Sequence, residues 1–249
     1  MKHIFAFENG EAYHQHEAVV ERFRERITEY QKILETDYEL YDLPKGIVWT
    51  SEELATTFFS ELPIPAFTNE DTIYFSPDLS AWRSLFLKQL EGKEVPKIKS
   101  FYENLSENHV LTIVGHELTH HSDLFVDEFD EEREDSIWFE EGMCDYLSSK
   151  HLLSATEFEE ITEVECELVD VFKDKYGDHS LDDFGATTYE ASLTRIMFDY
   201  WRSFLAVKFL VEERYDHDIN QVFNVFHRWH DEGRTQPLTE HFNLNAPFL

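Results

Sequence analysis

The chain has 249 residues, and 52 Asp and Glu against 21 Lys and Arg leave it a formal net charge of -31. A surface this negative repels phosphate backbones, and no stretch concentrates Lys and Arg on one face, so nucleic-acid binding is excluded. With 42% apolar and 15% aromatic residues the chain can bury a core, which excludes an acidic disordered tail, and no apolar run approaches the roughly 20 residues that span a bilayer.

The length suits one domain built from two lobes. The start holds only a four-residue apolar stretch, Ile4 to Phe7, which predicts no export signal. Cys144 and Cys166 are too few for a disulfide framework, so both are expected as free thiols and the cytoplasm is the expected compartment.

In chain order, Val20, Phe23, Ile27, Tyr30 and Leu34 recur at spacings of three and four, which predicts an amphipathic helix over 17–34. Residues 47–50 read as a short strand. Thr50 with Glu53 then reads as a capping box opening a helix through about residue 59. Two β-type runs, 63–67 and 72–76, flank the turn-like Thr68-Asn69-Glu70-Asp71 and predict a hairpin. The second run is expected to offer an edge for an extended substrate. Helices follow at about 77–90, 107–124, 136–152, 155–176, 188–213 and 219–231. Gly177 and Gly233 fall where helix C-caps belong, and Ser154 with Glu157 makes a second capping box. The charge run 127–135 reads as a solvated connection. The expected fold is therefore α+β and mostly helical, with a mixed lobe over about 1–105 and a helical lobe over about 106–249.

The helix over 107–124 contains His116-Glu117-Leu118-Thr119-His120, an HExxH pattern. At 100° per residue His116 and His120 stand one turn apart on one face, so two imidazoles reach one cation while Glu117 projects beside it. With 13 His and 34 Glu in the chain, roughly 0.1 such matches are expected by chance, so context decides. The helix is apolar around the pattern (Val110, Leu111, Ile113, Val114, Leu118), and a carboxylate there is costly without a compensating cation. A catalytic zinc takes three protein ligands and keeps one position open. Glu141, in Trp138-Phe139-Glu140-Glu141-Gly142-Met143-Cys144-Asp145-Tyr146, is the expected third ligand, with Glu140 its neighbour and rival. Asp145 follows it by one turn and is placed to accept the free N–H of a ligating histidine.

HELTH followed after 20 residues by the Glu141-Gly142 pair resembles the gluzincin metallopeptidases, which include thermolysin-like proteases and zinc aminopeptidases. The resemblance covers about residues 107–149 and a weaker C-terminal stretch. It implies a zincin-like fold, zinc held by His116, His120 and Glu141, and hydrolysis of a peptide or protein substrate with Glu117 as general base. It also implies Asp145 as the carboxylate orienting a zinc-bound histidine, and a tyrosine donor to the oxyanion. Tyr200 is that expected donor, with Tyr189 in the same helical segment as its rival. No Gly-x-Met-Glu-Asn segment of the aminopeptidase kind is present, so the implied action is endopeptidase-like. His121 points about 100° from His120 and is expected at the helix surface or supporting the site. Asp123 is expected to brace the helix end, and Cys144 to be a packing residue. His179, His217, His227 and His230 read as surface residues. The alternatives are a non-proteolytic zinc-containing binding or regulatory protein, and a metal-free acidic interaction protein.

Overall fold

Apolar side chains three and four residues apart decide which face of the first helix turns inward. α1 (Gly10–Asp37) buries Val20, Phe23, Ile27, Tyr30 and Leu34 and packs this stripe against α5 (Glu107–Thr119). It starts seven residues earlier than its apolar periodicity, because the Asn9 side chain accepts the amide of Ala12 and nucleates a polar first turn. The computed structural model describes residues 1–60, 62–127, 129 and 135–244. The chain folds into two compact units, residues 1–125 with 147–154, and residues 126–146 with 155–249.

The first unit holds a four-stranded sheet in the order β1-β2-β4-β3. β1 (Lys2–Ala6), β2 (Gly46–Thr50) and β4 (Thr72–Phe75) run parallel, and β3 (Ala66–Thr68) returns antiparallel to β4. The sequence pattern does not predict β1: its five residues join the sheet only through β2, 44 residues further on. β2 is buried at every position, as a central parallel strand should be. Phe23, Trp49, Phe75 and Trp82 meet above it with ring centroids 5.8 to 6.2 Å apart.

The hairpin 66–75 is present, but its edge is not where the sequence put it. β4 lies inside the sheet between β2 and β3, so the free edge belongs to β3. Ser51, not Thr50, caps the next segment by accepting the amide of Leu54. That segment, α2 (Glu52–Leu54), passes at once into a π turn, Ala55–Phe59. α3 (Leu79–Lys88) is followed by a helix that the sequence pattern does not predict, α4 (Pro96–Glu103), which opens on a proline at its first turn and buries Ile98 and Tyr102. α5 stops at Thr119 rather than residue 124. The chain leaves the helix there to bond the turn after α1: Ser122 donates its hydroxyl to the Tyr38 carbonyl, the Asp123 amide donates to the Glu39 carbonyl, and the Asp123 carboxylate accepts the Tyr41 amide.

The second unit is helical among its described residues. α7 (Ala155–Tyr176) packs on α8 (Leu193–Phe209), and α9 (Ile219–Asp231) with α10 (Leu238–His241) closes an aromatic cluster. In it Phe139 stacks on Phe226 and Phe242 at 4.4 and 5.6 Å, while the Trp138 indole donates to Asp182 at 3.1 Å. Both flanks of the acidic run, Asp127 and Asp135, bond Arg234; most of the run lies outside the described residues. His179 is not a surface residue. Its side chain is 14% exposed, and its Nε2 lies 2.8 Å from the fully buried Asp199, which also takes Arg195 and Arg202. Cys144 is buried and Cys166 exposed, both as free thiols. No helix among the described residues is long and apolar enough to cross a membrane.

One half-buried glutamate is expected to make stability pH-dependent. On α7 the Oε2 atom of Glu165 is buried without a hydrogen-bond partner. Burial first, then the neighbouring Asp145 charge, pushes this carboxyl well above the usual carboxylate range. The folded chain therefore keeps a proton that the unfolded chain releases, and the associated stability is lost as pH rises through and beyond the ordinary carboxylate range. Glu165→Gln cannot ionise. It is expected to be more stable than wild type by about 1–3 kcal/mol near neutral pH, with the gap closing toward about pH 4. Urea unfolding across that range reads the difference, and a gap that does not change with pH would exclude Glu165 as its source.

Candidate metal centre

The site begins with a glycine that lets two helices approach. α6 (Ile137–Leu152) is one continuous helix whose last turns belong to the first unit. There Gly115 of α5 faces it so closely that a Cβ would stand 2.5 Å from Leu152 Cδ1 and 3.2 Å from Ser148 Cβ. Arg26 of α1 clamps the end of α6 by donating to the Leu152 carbonyl and to Asn108 of α5. Tyr30 donates to the Thr119 hydroxyl at 2.8 Å, which in turn donates to the Gly115 carbonyl at 2.8 Å. From Gly115, His120 is about 7 Å further along α5, and from Ser148, Glu141 is about 10 Å back along α6.

His116 lies in the last turn of α5 and His120 is its C-cap residue. Their Nε2 atoms face each other at 3.0 Å. Two nitrogens bound to one tetrahedral zinc at about 2.0–2.1 Å would stand about 3.3 Å apart, so the rings need only a small opening. The ligand atoms of His116, His120 and Glu141 all lie within 4.8 Å of one another, and His116 and Glu141 are buried. The chain thus brings together three residues that can hold a metal ion, two imidazoles and a carboxylate. No other such group occurs among the described residues.

Glu117, between the histidines in sequence, is buried but is not in the group. Glu140 is buried at 5% exposure and also stands outside it. Asp145 is half-buried one turn beyond Glu141 on α6. His121 is buried, and its Nε2 shares a hydrogen bond of 2.8 Å with the Thr68 hydroxyl, tying the end of α5 to the edge strand β3. Burial, then the neighbouring His120, pushes the His121 imidazole down to about 4, so it is neutral at pH 7.

The sequence pattern places the two tyrosines in one helix over 188–213. The chain instead breaks between a 3-10 turn, Ala186–Glu190, and α8, which Ser192 caps. Eleven residues of unbroken helix would hold their Cα atoms about 16 Å apart. The break folds Tyr189 back until its hydroxyl lies 3.1 Å from that of Tyr200. Tyr189 also donates to Glu141 Oε1 at 2.9 Å, a contact that no spacing in the sequence announces. Compared with family models, with curated proteins and with solved structures, the chain matches none.

Proposed function

We propose that this protein is a zinc-dependent peptidase of zincin-like architecture that cleaves extended peptide or unfolded protein segments within the chain. The observation that carries the reading is the convergence of the ligand atoms of His116, His120 and Glu141 within 4.8 Å. Three ligands of this kind leave a fourth position open, which is the donor set of a catalytic zinc rather than of a closed structural site. When bound, zinc supplies carbonyl polarisation and acidifies a water molecule.

The remaining steps belong to the chain. Glu117 is buried beside His116, where it takes the proton of the attacking water on its carboxylate and delivers it to the leaving amine. Asp145 orients a ligand imidazole by accepting its second N–H. Tyr200, two hydrogen bonds removed from Glu141 through Tyr189, turns its hydroxyl proton from the Tyr189 oxygen to the developing oxyanion and so supplies its neutral donor. The edge strand receives the substrate. Asn69 pairs with Thr72, and the Ser76 amide donates to the Pro65 carbonyl. Antiparallel alternation then turns the main-chain groups of Ala66 and Thr68 away from β4, toward an added strand.

Metal analysis tests this directly. Wild type offered zinc and freed of excess should retain about one equivalent, His116→Ala and Glu141→Ala should lose it, and a chelator should stop digestion of a peptide library. A wild-type chain that retains no zinc, or digestion indifferent to the chelator, would refute the proposal.

A further inference from the structure

Glu141 is not held by its own helix alone. Tyr189 donates its hydroxyl to Oε1 of Glu141 at 2.9 Å. A phenol has one proton, so with that proton on Glu141 the Tyr189 oxygen is the acceptor in its 3.1 Å contact with the Tyr200 hydroxyl. An oxygen that accepts a phenolic proton is a weaker metal donor than its twin, which leaves the second carboxylate oxygen as the one presented to a cation.

The scaffold around this contact is rigid. The Phe184 ring, fully buried, packs against both tyrosines at 5.8 and 5.3 Å. The turn carrying Tyr189 is closed by the Gly185 amide donating to the Thr188 hydroxyl at 3.3 Å and by the Ala191 amide donating to the Thr188 carbonyl at 3.1 Å. Tyr200 follows Asp199, which is itself fixed by Arg195, Arg202 and His179. One residue past Glu141, Gly142 lies against the Ser203 carbonyl of α8 so closely that no Cβ fits, which locks the register of the helix carrying the ligand to the helix carrying Tyr200.

We infer that Tyr189 is a positioning residue that holds Glu141 to a single-oxygen contact with the metal and so keeps a coordination position open. This rests on the metal-centre reading above and assigns the two tyrosines different work: Tyr189 acts on the ligand, and Tyr200 faces the substrate. Without the Tyr189 hydroxyl the Glu141 carboxylate can swing and bind through both oxygens, raising the coordination number.

Tyr189→Phe and Tyr200→Phe keep both rings against Phe184 and remove one hydroxyl each. Zinc affinity is read by competition with a chromophoric chelator, and coordination number by the visible absorption of the cobalt(II)-substituted protein. Tyr189→Phe should bind zinc about 10-fold more weakly, the loss typical of removing a group that orients a ligand, and its cobalt bands should weaken as the site leaves tetrahedral geometry. Tyr200→Phe should keep zinc affinity and spectrum near wild type. Wild-type affinity and spectrum in Tyr189→Phe, or equal losses in both variants, would overturn this inference alone. A wild type that binds neither metal would overturn the metal-centre reading and this inference with it.

Discussion

Glu117→Gln is expected to abolish peptide hydrolysis while zinc stays bound. Gln matches the shape of Glu and still accepts a hydrogen bond at its carbonyl oxygen, but it cannot take a proton from water at neutral pH. Glu117 stands outside the three-residue group, so its replacement removes proton transfer and leaves the ligands in place. A positioned general base contributes typically about 10²–10⁴-fold, and that loss should fall on kcat with KM little changed, because the proposed substrate edge at β3 is not altered by the substitution. Zinc content and peptide turnover measured on the same preparation read both halves. Turnover within a few fold of wild type would remove Glu117 as the base.

The second large effect is expected at Gly142→Ala. A Cβ there would stand 2.3 Å from the Ser203 carbonyl oxygen, 2.6 Å from its carbon and 2.9 Å from Val207 Cγ2. Two of those three atoms are backbone of α8, which cannot rotate away, so α6 itself must move. Overpacking of this kind costs about 1–3 kcal/mol or more, and the movement displaces Glu141, the adjacent residue, from the histidines. Stability and zinc affinity should therefore fall together, as read by urea unfolding and chelator competition. Gly115→Ala is the instructive contrast. Its tightest contact, 2.5 Å, is with Leu152 Cδ1, the tip of a side chain, which can adopt another rotamer, so its cost should be the smaller of the two. A Gly142→Ala variant as stable as wild type, or equal effects at the two glycines, would count against this packing account.

Much of the architecture was legible because helices announce themselves locally. The three-and-four spacing from Val20 to Leu34 is the buried stripe of α1, and α7 and α9 span 155–176 and 219–231, the boundaries their patterns predict. Four of the misses share a cause: each depends on a partner distant in sequence. β1 is five residues that make a strand only beside β2. The early end of α5 follows from bonds to Tyr38, Glu39 and Tyr41. The choice of β3 over β4 as the edge depends on β4 pairing with β2. His179 looks like a surface residue in the sequence because Asp199, Arg195 and Arg202, which enclose it, lie on a later helix folded back over it.

For the metal centre the division is equally physical. The residue string by itself determined that His116 and His120 share a face, because a helix repeats every 3.6 residues and four-residue spacing needs no partner. It also determined the acidic balance and the apolar setting of the motif. Only the tertiary structure decided that Glu141 reaches the same point, that Glu140 stays outside it, and that Tyr189 rather than Tyr200 touches Glu141. Those choices turn on how two helices pack at Gly142 and where the chain breaks before Ser192, and distances across such contacts are set by the packing of side chains far apart in sequence, which no local period encodes.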